Sequence, residues 1–310
     1  MVQYCTAILY GENGQKDDAA ISLFNAVKTY AKGPLALPEQ VRNEALYVLT
    51  DLNRTDDVAT LGLTSSMSRE KVWGLDGGEP EIILVGYGGK GPNLVEVSFA
   101  GTYVVGGLIV GWITKPDGKT EHIELPAPPL PESEQKNLEN GKKTAAGTTY
   151  HIKMAFPYPM AYSSQTARFR LSVDGSATES VVLSDNDELL SQDVSDNKLV
   201  TLARTAVRTV VRTIAAQKAK EKMETSNAIA NLLINVGTDV ASDQLERADT
   251  RVCFLAPKTL QIARIAVKPG VHRVEVLAQN HGGTTVGAKT WESVSVGPHE
   301  KKFLFFPSLK

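Results

Sequence analysis

Apolar and small residues recur at intervals of three and four near the start of the chain: Ala7 and Tyr10, then Ala19, Leu23, Ala26 and Val27. That spacing predicts helices across 1–66, with Gly14 at the position of a tight turn between two of them. A second helical stretch, 39–61, starts after Pro38 with acid near its N-terminus, where the helix dipole favours negative charge. From about residue 78 the period falls to two. "EIILVGYG", "LVEVSFAG", "LIVGWITKPDGKTEHIEL" and "TYHIKMAFPYP" read as strands separated by Gly, Pro and Asp turns. Lys115-Pro116-Asp117-Gly118 is a strong hairpin signal, because proline presets the first corner and glycine tolerates positive φ. Residues 125–147 open with a proline cluster and read as an exposed loop, after which "ARFRLSVDG" and "ESVVLS" resume the strand pattern. An acidic stretch, 184–196, then leads into the longest helical pattern, Lys198 to about Arg247. Its stripes are Leu199, Leu202, Ala206, Val210 and Ile214, then Ile229, Leu232, Leu233 and Val236. Breaks at Ser226-Asn227 and Gly237 predict a helical hairpin or two packed helices. After Asp249 the period is two again, with hairpins turned at Lys268-Pro269-Gly270 and Gly297-Pro298.

The N-terminal spacing resembles the tetratricopeptide repeat, in which Ala7 and Ala19 let paired helices touch, Tyr10 and Leu23 fill the groove, and Ala26 packs on the next helix. Lys16 stands where the repeat prefers an aromatic, and "NRTDDVATL" is a weaker second copy. Such repeats need about three copies to bury a continuous core, so these helices are expected to belong to a longer array or to lean on their own neighbours. The expected fold is α+β: tetratricopeptide-like helices at 1–66 and an antiparallel, sandwich-like β region at 78–184. A helical hairpin is expected at 185–248, and β hairpins at 249–310 complete the β region.

Composition narrows the function classes. The chain has 310 residues, 42% of them hydrophobic, enough for an ordinary core. Lys and Arg total 33 against 35 Asp and Glu, a formal charge of -2, which argues against a nucleic-acid binder. Aromatics at 6% are few for a carbohydrate cleft or a cofactor pocket. Cys5 and Cys253 are too few for a disulfide framework or a metal site, leaving two separate thiols or a single bridge. The first residues lack a basic start and a long apolar run, so they are not expected to act as a secretion signal. The least polar stretch, Val97–Thr114, is short of the roughly 20 residues of a spanning helix and holds Gly101, Gly106, Gly107 and Gly111. It reads as a buried hairpin turning at Gly106-Gly107, in preference to a membrane-inserting β-hairpin.

Candidate chemistry is sparse. Gly86, Gly88 and Gly91 satisfy G-x-G-x-x-G after a strand, but Pro92-Asn93 and another strand follow where a dinucleotide site needs a helix. Lys142-Lys143-Thr144 lacks the first glycine of a P-loop, and Ser68-x-x-Lys71 has no companion motif. His122, His151, His272, His281 and His299 are scattered without zinc-site spacing, and only His281 falls in a loop that could present it. No catalytic residue, metal ligand or cofactor is assigned.

The basic helix is the most suggestive feature. Arg204, Arg208 and Arg212 recur every four residues and line one face. From Lys198 to Glu224 seven bases meet two acids, while 184–196 holds five acids and no base. Like charges four apart are mildly unfavourable, so a counter-charge is expected: the acidic segment with Asp185, Asp187 and Glu188 in the same chain, that segment in a neighbouring copy, or an external anion such as phospholipid headgroups or nucleic acid. Thr201, Thr205, Thr209 and Thr213 form a parallel stripe of small polar residues that would admit another helix.

"ADTRVCFLAPKTLQIARIAVKPGVHRVEV" resembles the hallmark of a family of uncharacterised bacterial envelope proteins, many predicted to be lipoproteins. The family pattern is Asp-Thr-Arg-Ser-Trp, a short gap, Leu-Pro, a strand with Ala-Arg, and a Pro-Gly-x-His turn. Asp249, Thr250, Arg251, Pro257, Ala263, Arg264, Pro269, Gly270 and His272 fit it, whereas Val252, Cys253 and Ala256 depart. "GYGGKGPNLVEVSF", "IELP", "IKMAFPYP" and the Arg-rich helix follow the family order, so the resemblance covers roughly 80–310. It implies a location in the periplasm or outer membrane of a Gram-negative envelope and a non-enzymatic scaffold or assembly role. The partners it implies are further copies of the chain and envelope lipoproteins, relatives often being encoded beside lipoproteins resembling the penicillin-binding-protein activator and the curli secretion pore subunit. The alternative is an anion- or headgroup-binding module with peripheral membrane association through the arginines. Relatives carry a lipid anchor ahead of the repeats, so Met1 is expected not to be the natural beginning. Asp249 and Arg251, where a helix hands over to a strand, are expected to fix that junction.

Overall fold

A computed structural model describes residues 2–63, 79–129, 149–223, 250 and 256–310. Its helices are α1 (Val2–Glu12), α2 (Lys16–Lys32), α3 (Glu39–Asp51), α4 (Thr55–Thr60) and α5 (Asn186–Met223). Its strands are β1 (Glu81–Lys90), β2 (Asn93–Val104), β3 (Leu108–Thr114), β4 (Thr120–Pro126), β5 (Thr149–Met160), β6 (Arg168–Val173), β7 (Ser176–Glu179), β8 (Val181–Asp185), β9 (Pro257–Ala266), β10 (Gly270–Gln279), β11 (Thr285–Val296) and β12 (Lys301–Ser308). The strands form three four-stranded sheets, ordered β12-β1-β9-β8, β11-β10-β6-β7 and β4-β3-β2-β5. All pairs are antiparallel except β1 with β12.

This is a mostly β architecture, and it corrects the expectation of a tetratricopeptide region followed by one sandwich-like β region with a helical hairpin. The helices expected at 1–66 do form, but they build no repeat array. Tyr4, Ala7, Leu23, Val27, Val41 and Leu49 bury their apolar faces in one cluster with Ile83 of β1, Leu183 of β8 and Ile262 of β9. A helix pair that finds a sheet to cover has no need of a further repeat to complete its core. The helical pattern expected from Lys198 starts instead at Asn186, so the acidic segment is the first three turns of α5 itself. The second half of the expected hairpin, after Met223, lies outside the described residues.

The chain divides into two compact units, Met1–Pro92 with Ala161–Gln192 and Cys253–Lys310, and Asn93–Met160 with Asp193–Val252. In the first, β1 is buried on both faces. Ile83 joins the helices, while Ile82 and Leu84 join Phe169, Leu171, Val274 and Val276 of the neighbouring sheet. This explains why "EIILV" is continuously apolar instead of alternating. Gly86 and Gly88 are interior strand positions, not a phosphate loop or a turn. A Cβ on Gly86 would lie 2.4 Å from the Phe169 ring, and one on Gly88 2.6 Å from Thr259 Oγ1.

A buried charge cluster ties helices to sheet in this unit. Arg264 Nε donates to Glu81 Oε2 at 2.8 Å, and Arg264 Nη1 to Glu44 Oε2 at 3.0 Å. Tyr4 donates its hydroxyl proton to Glu44 Oε2 at 2.6 Å, and Lys301 Nζ reaches Glu81 Oε1 at 2.6 Å. The Arg264, Glu44 and Glu81 side chains are each 2% exposed. Burial, then the neighbouring Glu44 carboxylate, raise the Tyr4 phenol well above its ordinary range, so it stays a donor. Cys5 is a free, half-buried thiol pushed up by the same burial, and Cys253 lies outside the described residues. Tyr30 donates to the Leu183 carbonyl at 2.6 Å, and burial pushes its phenol up to about 12.

The Pro-Gly-x-His turn is a clamp between hairpins. His272 Nε2 lies 2.7 Å from the Lys268 carbonyl and Nδ1 2.6 Å from Asp174 Oδ2. Both partners only accept, so the doubly protonated ring fits best, and the Asp174 hydrogen bond holds the imidazole above its usual range. Asp174 stands at φ 48 in the turn joining β6 to β7, and its other oxygen accepts the Arg273 N–H at 3.0 Å.

In the second unit β2 and β3 form the hairpin expected at Gly106-Gly107, with Gly106 at φ 70. One face of this sheet is covered by α5: Val97, Phe99, Tyr103, Ile109, Ile113, Ile152 and Phe156 cluster with Leu202, Ala206 and Val210. The opposite face carries Ser98, Ala100, Thr102 and an exposed Trp112 set edge-on to His122, with ring centroids 4.8 Å apart.

Candidate interaction surface

Helix α5 starts where Asp185, the last residue of β8, caps it: its Oδ1 accepts the N–H groups of Asp187 at 3.0 Å and Glu188 at 3.3 Å. The acids of the first turns suit the positive end of the helix dipole. Leu202, Ala206 and Val210, spaced at four, form the buried face. Leu199, expected in that stripe, is 55% exposed. Thr209 and Thr213 return their hydroxyl protons to the carbonyls of Thr205 and Thr209, so the threonine stripe flanks the buried face and bonds its own backbone. Lys198 Nζ anchors the helix to β4 by a 2.5 Å contact with Glu121, which Lys115 approaches at 3.1 Å from the other side. Lys198 first and Lys115 second hold the Glu121 carboxyl below its ordinary range.

The expected acidic partners divide. Asp185 is consumed as the cap, and Asp187 pairs with Lys258 Nζ at 2.9 Å. Glu188, Asp193 and Asp196 remain exposed. Asp193 and Asp196 belong to the acidic segment but were not singled out by spacing, because that segment reads as a flank and not as a helix. Asp249 and Arg251, the expected junction pair, lie outside the described residues.

Arg204, Arg208 and Arg212 project from the side of α5 away from the sheet, and all three are exposed. Neither Arg204 nor Arg208 has an acidic residue three or four positions away on the helix; the neighbours are Val200, Thr201, Thr205, Val207, Val211 and the arginines themselves. Along the helix the acid nearest Arg204 is Asp196, which stands about 12 Å away on the axis. That is beyond salt-bridge reach, so Asp196 does not pair with Arg204 or Arg208 along the same helix. The outward face therefore carries acid at one end, base at the other, and Val200, 47% exposed, between them.

Among the described residues, no group of three His, Cys, Asp or Glu side chains is placed to hold a metal ion. His281 is exposed in the turn between β10 and β11 and His272 is spent in the Asp174 clamp. No described helix is long and apolar enough to cross a membrane. No family profile, curated protein or solved structure matches this chain.

Proposed function

We propose that this chain is a non-enzymatic assembly component that associates with further copies of itself, or docks other proteins, through the outward face of α5. One observation carries the reading: Arg204 and Arg208 are exposed on a helix whose acids stand too far along the same rod to pair with them. Such a face is complementary to a partner that brings acid to the arginines and base to the aspartates. The setting, a Gram-negative envelope with lipoprotein neighbours, comes from the resemblance of the 249–272 segment and the strands before it. Headgroup binding by the same arginines is the second reading, favoured by their exposure and by the lack of an acid three or four positions away on the helix.

Sedimentation of the purified chain over a concentration series separates the two. The assembly reading expects a reversible dimer or higher species at about 50 mM salt that weakens at about 500 mM, where the screening length falls to a few ångströms. Flotation with anionic vesicles but a strict monomer in their absence would favour the headgroup reading. A strict monomer that neither floats nor retains envelope lipoproteins would overturn both.

A further inference from the structure

We infer that α5 pairs with α5 of a second copy, antiparallel, about a two-fold axis at Val200. The inference rests on the self-association reading and adds the geometry of the contact. Val200 is the midpoint of the outward charges. Asp196 and Arg204 stand four residues to either side, about 6 Å along the axis each way. Asp193 stands seven residues before and Arg208 eight after, about 10.5 and 12 Å, a mismatch of one residue's rise.

A two-fold at Val200 reverses the partner helix and so brings each acid level with a base. Asp196 meets the second copy's Arg204, Asp193 meets its Arg208, and symmetry repeats both pairs. At about 100° per residue these four side chains and Val200 span about 120° of the helix circumference. The arc faces mostly away from Leu202, Ala206 and Val210, the residues that hold α5 to its own sheet, and one edge of it is shared with Val207 and Val211, which are partly buried against the same core. The acid and base of each pair are offset around the circumference, a gap that the length and fork of arginine bridge. Val200 meets its own copy at the centre, where an exposed apolar side chain on a charged face gains cover. A parallel pairing in register would instead set arginine against arginine and aspartate against aspartate. The surface is thus self-complementary in the isologous sense and closes as a dimer.

The test exploits the register. Arg204→Glu should weaken dimerisation about tenfold or more at low salt, since it faces Asp196 twice per dimer. Adding Asp196→Arg in the same chain should restore the wild-type dissociation constant, because the pair is rebuilt with its charges exchanged. Adding Asp193→Arg instead should weaken it further, because that arginine faces Arg208. Circular dichroism checks that every variant keeps its helix. Equal behaviour of the two double variants, with the wild type still dimeric, would overturn the two-fold register and leave the broader surface standing. A wild type that is monomeric throughout would remove the self-association reading itself.

Discussion

Arg264→Ala should lower the stability of the first unit by about 3–5 kcal/mol, the range measured when one partner of a buried ion pair is removed. The arginine sits between two carboxylates, 2.8 Å from Glu81 and 3.0 Å from Glu44, all three side chains 2% exposed. Among the described residues the cluster sums to zero: Arg264 and Lys301 against Glu44 and Glu81. Without Arg264, Lys301 still pairs with Glu81, while among the described residues Glu44 keeps only the Tyr4 hydroxyl. The cost is the unpaired charge more than the lost attraction, so a second substitution that removes Glu44 should recover much of the loss. Arg264→Met with Glu44→Leu leaves Glu81 on Lys301 and should melt well above Arg264→Ala. Thermal melts of the two variants measure this, and a double variant as unstable as the single one would show that the cluster's packing outweighs its charge.

Gly111→Ala should cost about 3 kcal/mol, the upper end of the usual penalty for overpacking. Gly111 of β3 lies opposite Gly101 of β2, and the Phe99 ring lies over the pair. A Cβ on Gly111 would stand 2.4 Å from the Ala100 carbonyl oxygen and 2.5 Å from Phe99 Cζ. Backbone and a buried ring block it from two sides, so β2 and β3 must part or Phe99 must leave the core under α5. Gly118→Ala is the matched control: its Cβ would meet nothing within 4 Å, and its φ of +78 leaves only the left-handed penalty of about 1–2 kcal/mol. Hydrogen exchange of the β2 and β3 amides reads the difference. Equal loosening by both substitutions would mean that the strand contact at Gly111 has room for a methyl group.

The same particulars show how much of the molecule was legible in its sequence. Helices at 2–60 and the hairpin at Gly106-Gly107 follow from local periodicity and turn chemistry, and both are present. What the helices pack against was not legible, because their partner strands come from Glu81, Val181 and Pro257 onward, and a repeat-like spacing says only that one face is apolar. Glu44 reads as an ordinary surface charge on a helix until Arg264, 220 residues away, meets it. Gly86 and Gly88 of "GYGGKG" mark close approach within a strand instead of a loop, a distinction that depends on Phe169 across the sheet gap and on Thr259. The arginine stripe of the candidate surface was legible from its spacing of four. Its acidic counterpart was only half so: charge density disguised the first turns of α5 as a flank, and the cap at Asp185 and the Asp187–Lys258 pair need tertiary structure to appear.

Cross-linking through position 200 tests the central claim, contact between copies through the outward face of α5, most directly. With Cys5 and Cys253 replaced by serine, Val200→Cys should form an intermolecular disulfide under mild oxidation, since a two-fold at that residue brings the two Cα atoms to about 4.4–6.8 Å. Ala215→Cys, also exposed but about 45 Å along the axis from its own symmetry mate, should not. Efficient dimer cross-linking at 200 with none at 215 is the predicted result; linkage at both positions, or at 215 alone, would contradict it.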